Sequence, residues 1–325
     1  MAEKFIWSYL AHLGFNMWAD PEEKDGIKCF PTRKGYGCAA DHLRFDKDAW
    51  YKITDELKDA GCNQIVLDLG EGVQYESHPE IAVKGSWSKN ELSDELTRLK
   101  GMGFEVIPKL NFSTGHDEWM GIYSRMVSTP AYYKVCSDLI DEVCELFNKP
   151  RLFHLGMDEE CFSIQETMNL CIIRHGDLYW HDFFLYVKSC EKNGARPWIW
   201  ADYVWHNARS RESFHKNMTK DILCSNWYYH EFKEESGWLY DSYKAYKDLE
   251  DHGFDQLPAA SNCVLPENMD LTVEHGVKVI APERLKGFMM TTWMPTVSER
   301  IQKHTDAIAL LKAAKEKYEN GGYTR

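Results

Sequence analysis

The 325-residue sequence has no apolar run that approaches the roughly 18 residues of a membrane-spanning helix. It has no CxxC pair of the kind that marks zinc sites, and its ten cysteines form no disulfide framework in a chain this long. Basic residues are also few, with 38 Lys and Arg against 51 Asp and Glu and a formal charge of −13. That charge repels nucleic acid and anionic membranes, so we expect neither as a partner. A neutral or cationic small substrate fits better.

Two further absences concern location and cofactors. Met1 to Lys4 run straight into an apolar stretch of about five residues, too short for the core of a signal peptide. We therefore expect a cytoplasmic protein, unless a leader was removed. No glycine-rich phosphate loop follows the first predicted strand, which disfavours a doubly wound dinucleotide-binding sheet. We expect no cofactor and no metal.

Short apolar runs rich in β-branched and aromatic residues alternate with amphipathic stretches along the whole chain, and this is the pattern of βα units. Polar or aromatic residues end nearly every run, as expected where strand ends converge on the mouth of a barrel. The sequence predicts one (β/α)₈ TIM barrel over residues 1–325, closed by a C-terminal helix at 298–319. The predicted strands are 5–10, 64–69, 105–112, 152–157, 197–201, 222–227, 256–260 and 287–292.

Three successive carboxylates, Asp158, Glu159 and Glu160, follow the fourth predicted strand. Cleavage of a glycosidic bond needs an acid that protonates the leaving oxygen and a negative group that steadies the oxocarbenium-like centre. Neighbouring carboxylates can hold different protonation states when their surroundings differ. An acidic run can also simply begin a helix, where negative charge suits the helix dipole. Position alone leaves both interpretations open.

The sequence motif around these carboxylates is more specific than their position along the chain. The segment His154-Leu155-Gly156-Met157-Asp158-Glu159 resembles the His-x-Gly-Gly-Asp-Glu signature of glycoside hydrolase family 20, the β-N-acetylhexosaminidases. Upstream segments also resemble that family's motifs, in the same order: 75–81 and 84–88 after the second strand, 103–108 at the third strand, and Gly115-His116 after it. The resemblance implies a glycosidase that removes a terminal 2-acetamido sugar from a small carbohydrate or glycoconjugate.

When the family's motif is matched to this sequence residue by residue, the resemblance implies that Glu159 is the general acid and base. Asp158 would orient the substrate's own 2-acetamido group, which acts as the nucleophile in this substrate-assisted exception among retaining glycosidases. His116 matches a histidine that hydrogen-bonds toward the catalytic glutamate.

Later strand ends carry the flat rings against which the apolar face of a sugar can stack. Trp200, Trp227, Tyr228 and Trp293 lie at the ends of the fifth, sixth and eighth predicted strands, and we expect them to bind substrate. Asp202 is predicted either to bind a hydroxyl or to cap a helix. Three residues are candidates for the contact to the acetamido oxygen: Tyr228, Asn226 and Asn262.

The sequence also departs from the family pattern. Glu71 stands where the family has an acidic pair and is a candidate partner of His116, while His12 and Asn16 occupy the rim at which the family places an arginine. Trp293-Met294-Pro295 replaces Trp-x-Glu, and Pro108-Lys109 replaces Pro-Glu. These changes affect recognition of the sugar more than the Asp-Glu pair.

Three other hypotheses stay open at this point. One is a retaining glycosidase that uses two protein carboxylates, with Glu267 or Glu283 as nucleophile. Another is a carbohydrate-binding barrel with a degenerate site. The last is a metal-dependent hydrolase built on His12, His116 and His154, although the chain lacks a His-x-His pair on the first strand.

Overall fold

A computed structural model describes residues 4–18, 23–24, 27–28, 36–166, 172–233 and 237–325. Eight parallel strands alternate with helices and close into a barrel, which confirms the predicted (β/α)₈ fold. The strands are β1 (Ile6–His12), β2 (Gln64–Asp68), β3 (Glu105–Lys109), β4 (Leu152–His154), β5 (Arg196–Trp200), β6 (Leu223–Ser225), β7 (Ala259–Ser261) and β8 (Gly287–Thr291).

The strands pair in the order β6-β5-β4-β3-β2-β1-β8-β7. Parallel bridges from Cys224 to Gln256 and from Trp227 to Ala259 join β6 to β7 and complete the ring. Several strands are shorter than predicted: β3 ends at Lys109, β4 at His154 and β6 at Ser225. At these points the chain leaves the regular ladder to build the loops of the mouth.

Helices cover the outside of the barrel. They are α1 (Lys47–Asp59), α2 (Lys89–Met102), α3 (Pro130–Leu146), α4 (Phe162–Gln165), α5 (Asp177–Lys192), α6 (Ala208–Asn217), α7 (Trp238–Asp251), α8 (Asn268–Val279) and α9 (Ile301–Glu319). A two-stranded ribbon, Glu23–Lys24 with Ile27–Lys28, lies apart from the barrel sheet. Among the described helices, none is both long and apolar enough to cross a membrane.

Helix α9 packs where the closing helix was predicted. Tyr318 stacks on Phe5 with ring centroids 4.9 Å apart, and His304 Nδ1 lies 2.9 Å from the Tyr9 hydroxyl. At its start, Ser298 donates its backbone N–H to Asp46, the residue that precedes α1. These contacts join the last helix to β1 and α1.

Side chains alternate between the two faces of each strand, since successive residues of a strand point in opposite directions. On β1, Trp7 and Tyr9 face the helices, whereas Ile6 and Leu10 face the barrel interior. The interior is a small apolar core of Ile6, Leu10, Val66, Ile107, Leu152, Trp198, Trp200, Leu223, Leu257, Ala259 and Met289.

Above this core, the carboxyl ends of four adjacent strands carry ionisable side chains in register. His12 pairs with Asp68, Asp68 with Lys109, and Lys109 with His154. All four side chains are buried. We call this set the polar ring; it forms the layer between the apolar interior and the mouth.

Candidate active site

The acidic triplet leaves β4 through an unusual backbone turn. Gly156, Met157 and Glu159 have φ values of 73°, 75° and 57°. A Cβ on Gly156 would lie 1.8 Å from Asn111 Oδ1, so only glycine fits there. Left-handed conformations in residues other than glycine are costly and concentrate at functional sites. Here the turn brings Asp158 and Glu159 to the same histidine.

That histidine is His116, on the loop after β3. Its Nε2 lies 2.8 Å from Glu159 Oε2 and 3.3 Å from Asp158 Oδ2. Burial by itself lowers the pKa of His116, but the carboxylates of Asp158 and Glu159 outweigh it and raise the pKa to about 10. His116 is therefore a cation at neutral pH and donates its Nε2 proton to this carboxylate pair.

The two carboxylates differ in environment. Asp158 is buried, and Asn111 Nδ2 donates to its Oδ1 at 2.8 Å. Burial raises the pKa of Asp158, but His116 and Lys109 lower it by more than burial raises it. The pKa of Asp158 therefore stays well below its usual value. The Glu159 side chain is 26% exposed. The site thus pairs a fixed, ionised carboxylate with one open to the mouth.

Glu160, the third carboxylate, is turned into the protein. Arg174 binds both of its oxygens, and Thr114 donates its backbone N–H at 3.2 Å. Arg174 and Glu160 are both fully buried. This pair anchors the loop after β4 and leaves Glu160 closed to substrate.

Asp202 is also buried rather than open to the mouth. Its Oδ2 accepts the backbone N–H of Glu159 at 2.8 Å and lies 2.7 Å from His206 Nε2. Burial raises the pKa of Asp202, with His206 opposing the rise. The carboxylate that was predicted to bind a hydroxyl or cap a helix instead contacts the main chain of the turn after β4.

Three tryptophans gather at the mouth. Trp293 and Trp227 are half-buried, and Trp200 is buried beneath them. Trp200 and Trp293 have ring centroids 5.6 Å apart, and Trp227 stacks on Tyr229 at 5.3 Å. The indole N–H of Trp200 has no hydrogen-bond partner among the described residues.

The loop after β6 presents Tyr229 to this cluster. The Tyr228 hydroxyl instead donates to Glu231 O at 3.0 Å, and the Tyr228 ring packs on Phe232 and Tyr243. The Trp293 indole N–H approaches the buried Tyr229 hydroxyl oxygen, but in the part of the chain that the structure describes the hydroxyl proton has no acceptor. Burial raises the pKa of Tyr229 well above its usual value, so the hydroxyl is a neutral donor.

The other two candidates for the acetamido contact lie differently. Asn226 is fully buried and engaged within the protein, since it accepts from Trp205 and donates to Ser242 O. Asn262 donates to Lys303 O, and its Oδ1 lacks a partner within the described ranges. Tyr229, which the sequence analysis missed, could have been found from alternation, because it faces the same way as Trp227 two residues earlier.

Two predicted substrate residues lie below or beside the site. Glu71 is buried and accepts the backbone N–H groups of Phe15 and Asn16 at 2.8 and 3.1 Å, so it shapes the loop after β1 instead of contacting His116. His12 belongs to the polar ring, 3.2 Å from Asp68, with its ring 5.8 Å from that of Trp293.

The alternative hypotheses find less support in the geometry. Glu283 precedes β8 and therefore lies at the opposite end of the barrel from the mouth, and Glu267 is exposed at the start of α8. His12, His116 and His154 do not form a common ligand set. Within the described residues, the one group with metal-ligand spacing is His215, Asp248 and His252, on or just after helices α6 and α7.

No protein-family model and no curated protein sequence matches the chain. Solved structures do match, and those of glycoside hydrolase family 20 share its barrel, which confirms the predicted resemblance at the level of the fold.

A β-N-acetylhexosaminidase from Bacteroides fragilis has a TM-score of 0.62 and 13% identity, with 99% of this chain and 72% of that chain covered. The Flavobacterium johnsoniae chitobiase has a TM-score of 0.55 and 16% identity, with 86% of this chain and 50% of that chain covered. A Vibrio harveyi exo-β-N-acetylglucosaminidase, solved with N-acetylglucosamine, has a TM-score of 0.57 and 12% identity, with 100% of this chain and 60% of that chain covered. The chain thus spans about half to three quarters of the length of these proteins.

Proposed function

We propose that the chain is a glycoside hydrolase of family 20 that removes a terminal 2-acetamido sugar by substrate-assisted, retaining hydrolysis. The observation that carries the proposal is the shared contact of Asp158 and Glu159 with His116, at 3.3 and 2.8 Å. It joins an ionised, buried carboxylate to a partly exposed one. The fold shared with N-acetylhexosaminidases supports the same choice.

In the first step, Glu159 gives its proton to the glycosidic oxygen as the bond from that oxygen to C1 breaks. The acetamido oxygen of the substrate forms the new bond to C1, which yields an oxazolinium ion. Asp158 accepts the acetamido N–H and balances the positive charge that develops on this group. The low pKa of Asp158 suits this role, because only the ionised carboxylate can do both.

In the second step, Glu159 acts as the base. It takes a proton from water as the water oxygen bonds to C1 and the bond from the acetamido oxygen to C1 breaks. Configuration at C1 is retained after two inversions. His116, as a cation, steadies the negative charge that Glu159 carries between the steps.

The aromatic cluster supports recognition of the sugar. Trp227 and Trp293 are partly exposed and offer faces on which a pyranose ring or an acetamido methyl can pack. The Tyr229 hydroxyl, a neutral donor whose proton has no acceptor among the described groups, suits the acetamido oxygen. Tyr229→Phe should therefore weaken catalysis on 2-acetamido sugars.

The test is hydrolysis of 4-nitrophenyl glycosides of N-acetylglucosamine, N-acetylgalactosamine, glucose and galactose. We expect release only from the 2-acetamido sugars, and losses of about 10²-fold or more in Asp158→Asn and Glu159→Gln. Glu160→Gln is no control, because it breaks a buried ion pair. Glu191→Gln, exposed on α5, is the matched control.

Release from sugars that lack the acetamide would contradict substrate assistance and favour a second protein carboxylate. Sugar binding without hydrolysis of any glycoside would favour a carbohydrate-binding barrel.

A further inference from the structure

The pair formed by Asp202 and His206 contacts the main chain of Glu159, whereas His116 contacts its side chain. The Asp202 side chain is fully buried and that of His206 is 2% exposed. A solvated surface pair would contribute little, but a buried charged acceptor binds a backbone N–H strongly. We propose that Asp202 and His206 are positioning residues for the general acid and base, and hold the Glu159 main chain in its left-handed conformation. This inference rests on the proposed function.

The first step of the argument is the conformation itself. Glu159 has a φ of 57°, a region that costs about 1–2 kcal/mol for a residue with a side chain. Its N–H, which would otherwise have no fixed acceptor, lies 2.8 Å from Asp202 Oδ2. That hydrogen bond selects the orientation in which the Glu159 side chain meets His116 Nε2 at 2.8 Å.

The second step concerns what fixes Asp202. It begins the short turn Asp202–Val204 directly after β5, so its backbone is tied to the barrel. His206 Nε2 lies 2.7 Å from the same Oδ2 that binds Glu159, while Asp202 Oδ1 has no partner in the described structure. His206 is held by edge-to-face contacts with Trp205 at 5.3 Å and Tyr203 at 5.8 Å.

The consequence is specific to acid catalysis. An acid must be within hydrogen-bond reach of the leaving oxygen, and a displacement of 1 Å can cost about 10²-fold. Proton donation matters greatly for a poor leaving group and little for a good one. A loosened Glu159 should therefore slow phenyl N-acetylglucosaminide far more than the 2,4-dinitrophenyl analogue.

The experiment compares kcat/KM for these two substrates in the full chain. For Asp202→Asn and for His206→Leu we expect losses of about 10- to 100-fold on the phenyl glycoside and less than about threefold on the dinitrophenyl glycoside. His206→Gln, which keeps an N–H for Asp202, should recover most of the difference. The leaving-group dependence separates positioning from general damage, which would slow both substrates alike.

Asp248→Asn is the matched control, because Asp248 forms a similar pair with His215, at 2.8 Å, between α6 and α7. It should leave the ratio of the two substrates unchanged. Equal losses on both substrates in both Asp202→Asn and His206→Leu, or a wild-type ratio in both, would overturn the inference while the wild type remains active. A wild type inactive on both substrates would instead overturn the proposed function, and the inference with it.

Discussion

Lys109 and Asp68 form an ion pair inside the barrel, and removing one partner should cost much more than removing both. The Lys109 ammonium is fully buried, the Asp68 side chain is 7% exposed, and His12 Nδ1 lies 3.2 Å from the same carboxylate oxygen. Loss of one partner leaves a charge unbalanced in a low-dielectric interior, which costs about 3–5 kcal/mol. Replacement of both by neutral groups is often close to neutral.

We therefore expect Lys109→Met and Asp68→Asn each to lower the free energy of unfolding by about 3–5 kcal/mol. Lys109→Met should be the milder change, because His12 remains beside Asp68. The double variant should lose less than either single variant, so its loss should fall short of the sum of the two by at least about 3–5 kcal/mol. Urea unfolding at pH 7, followed by circular dichroism and tryptophan fluorescence, measures all four free energies.

Lys134 and Asp138 on α3 supply the surface comparison, since Nζ and Oδ2 are 2.6 Å apart but Lys134 is 72% exposed. Replacing Lys134 should cost less than about 1 kcal/mol, whereas Asp138 also binds His78 Nε2 at 2.9 Å and is left unchanged. Additive losses for Lys109→Met and Asp68→Asn, or losses as small as those at the surface, would refute the account of the polar ring.

The same perturbation should reach the proposed catalytic site. Burial raises the pKa of Asp158, and Lys109 is one of the groups, after His116, that lower it. Asp158 must be ionised for the proposed mechanism, so activity falls as the pH drops through its pKa. Because Lys109→Met raises that pKa, the acid limb of kcat/KM should move to higher pH.

Two further predictions concern the turn after β4 and the histidine that binds it. Gly156→Ala places a Cβ 1.8 Å from Asn111 Oδ1 at a φ of 73° and should cost about 2–5 kcal/mol of unfolding free energy and most of the activity; an alanine variant of wild-type kcat/KM would contradict the geometry. The folded-state pKa of His116, about 10 against an ordinary 6.5, is raised, so its stabilisation is complete below pH 6.5 and is lost as the pH rises toward 10. The difference in unfolding free energy between wild type and His116→Gln should shrink over that range, and a constant difference would count against the ion pairs.

The fold could be predicted from alternation alone, because each βα unit leaves a local signature in apolar spacing. Strand ends were less predictable, since the ladder stops where loop packing takes over; β3 was expected to reach 112 and ends at Lys109. Asn111, just beyond that end, orients Asp158. No local pattern distinguishes such an asparagine from one that caps a turn.

Orientation of single side chains was the least predictable feature. Glu71 lies in the turn Gly70–Gly72, outside any strand, so no period of two applies to it. Packing against the loop after β1 turns its carboxylate toward Phe15 and Asn16. By contrast, the choice between Tyr228 and Tyr229 was open to prediction, because the loop after β6 keeps the alternation of the strand.

The acidic triplet shows why the position of a carboxylate along the chain does not predict its environment in the fold. In an extended strand, Asp158 and Glu159 would point to opposite faces, and Asp158 and Glu160 to the same face. The left-handed residues at 156, 157 and 159 break this rule, so that Asp158 and Glu159 share His116 while Glu160 turns to Arg174. The backbone strain is thus what assigns three identical charges to three environments. It follows that a variant which relaxes the turn should change the partners of the carboxylates even when all three remain.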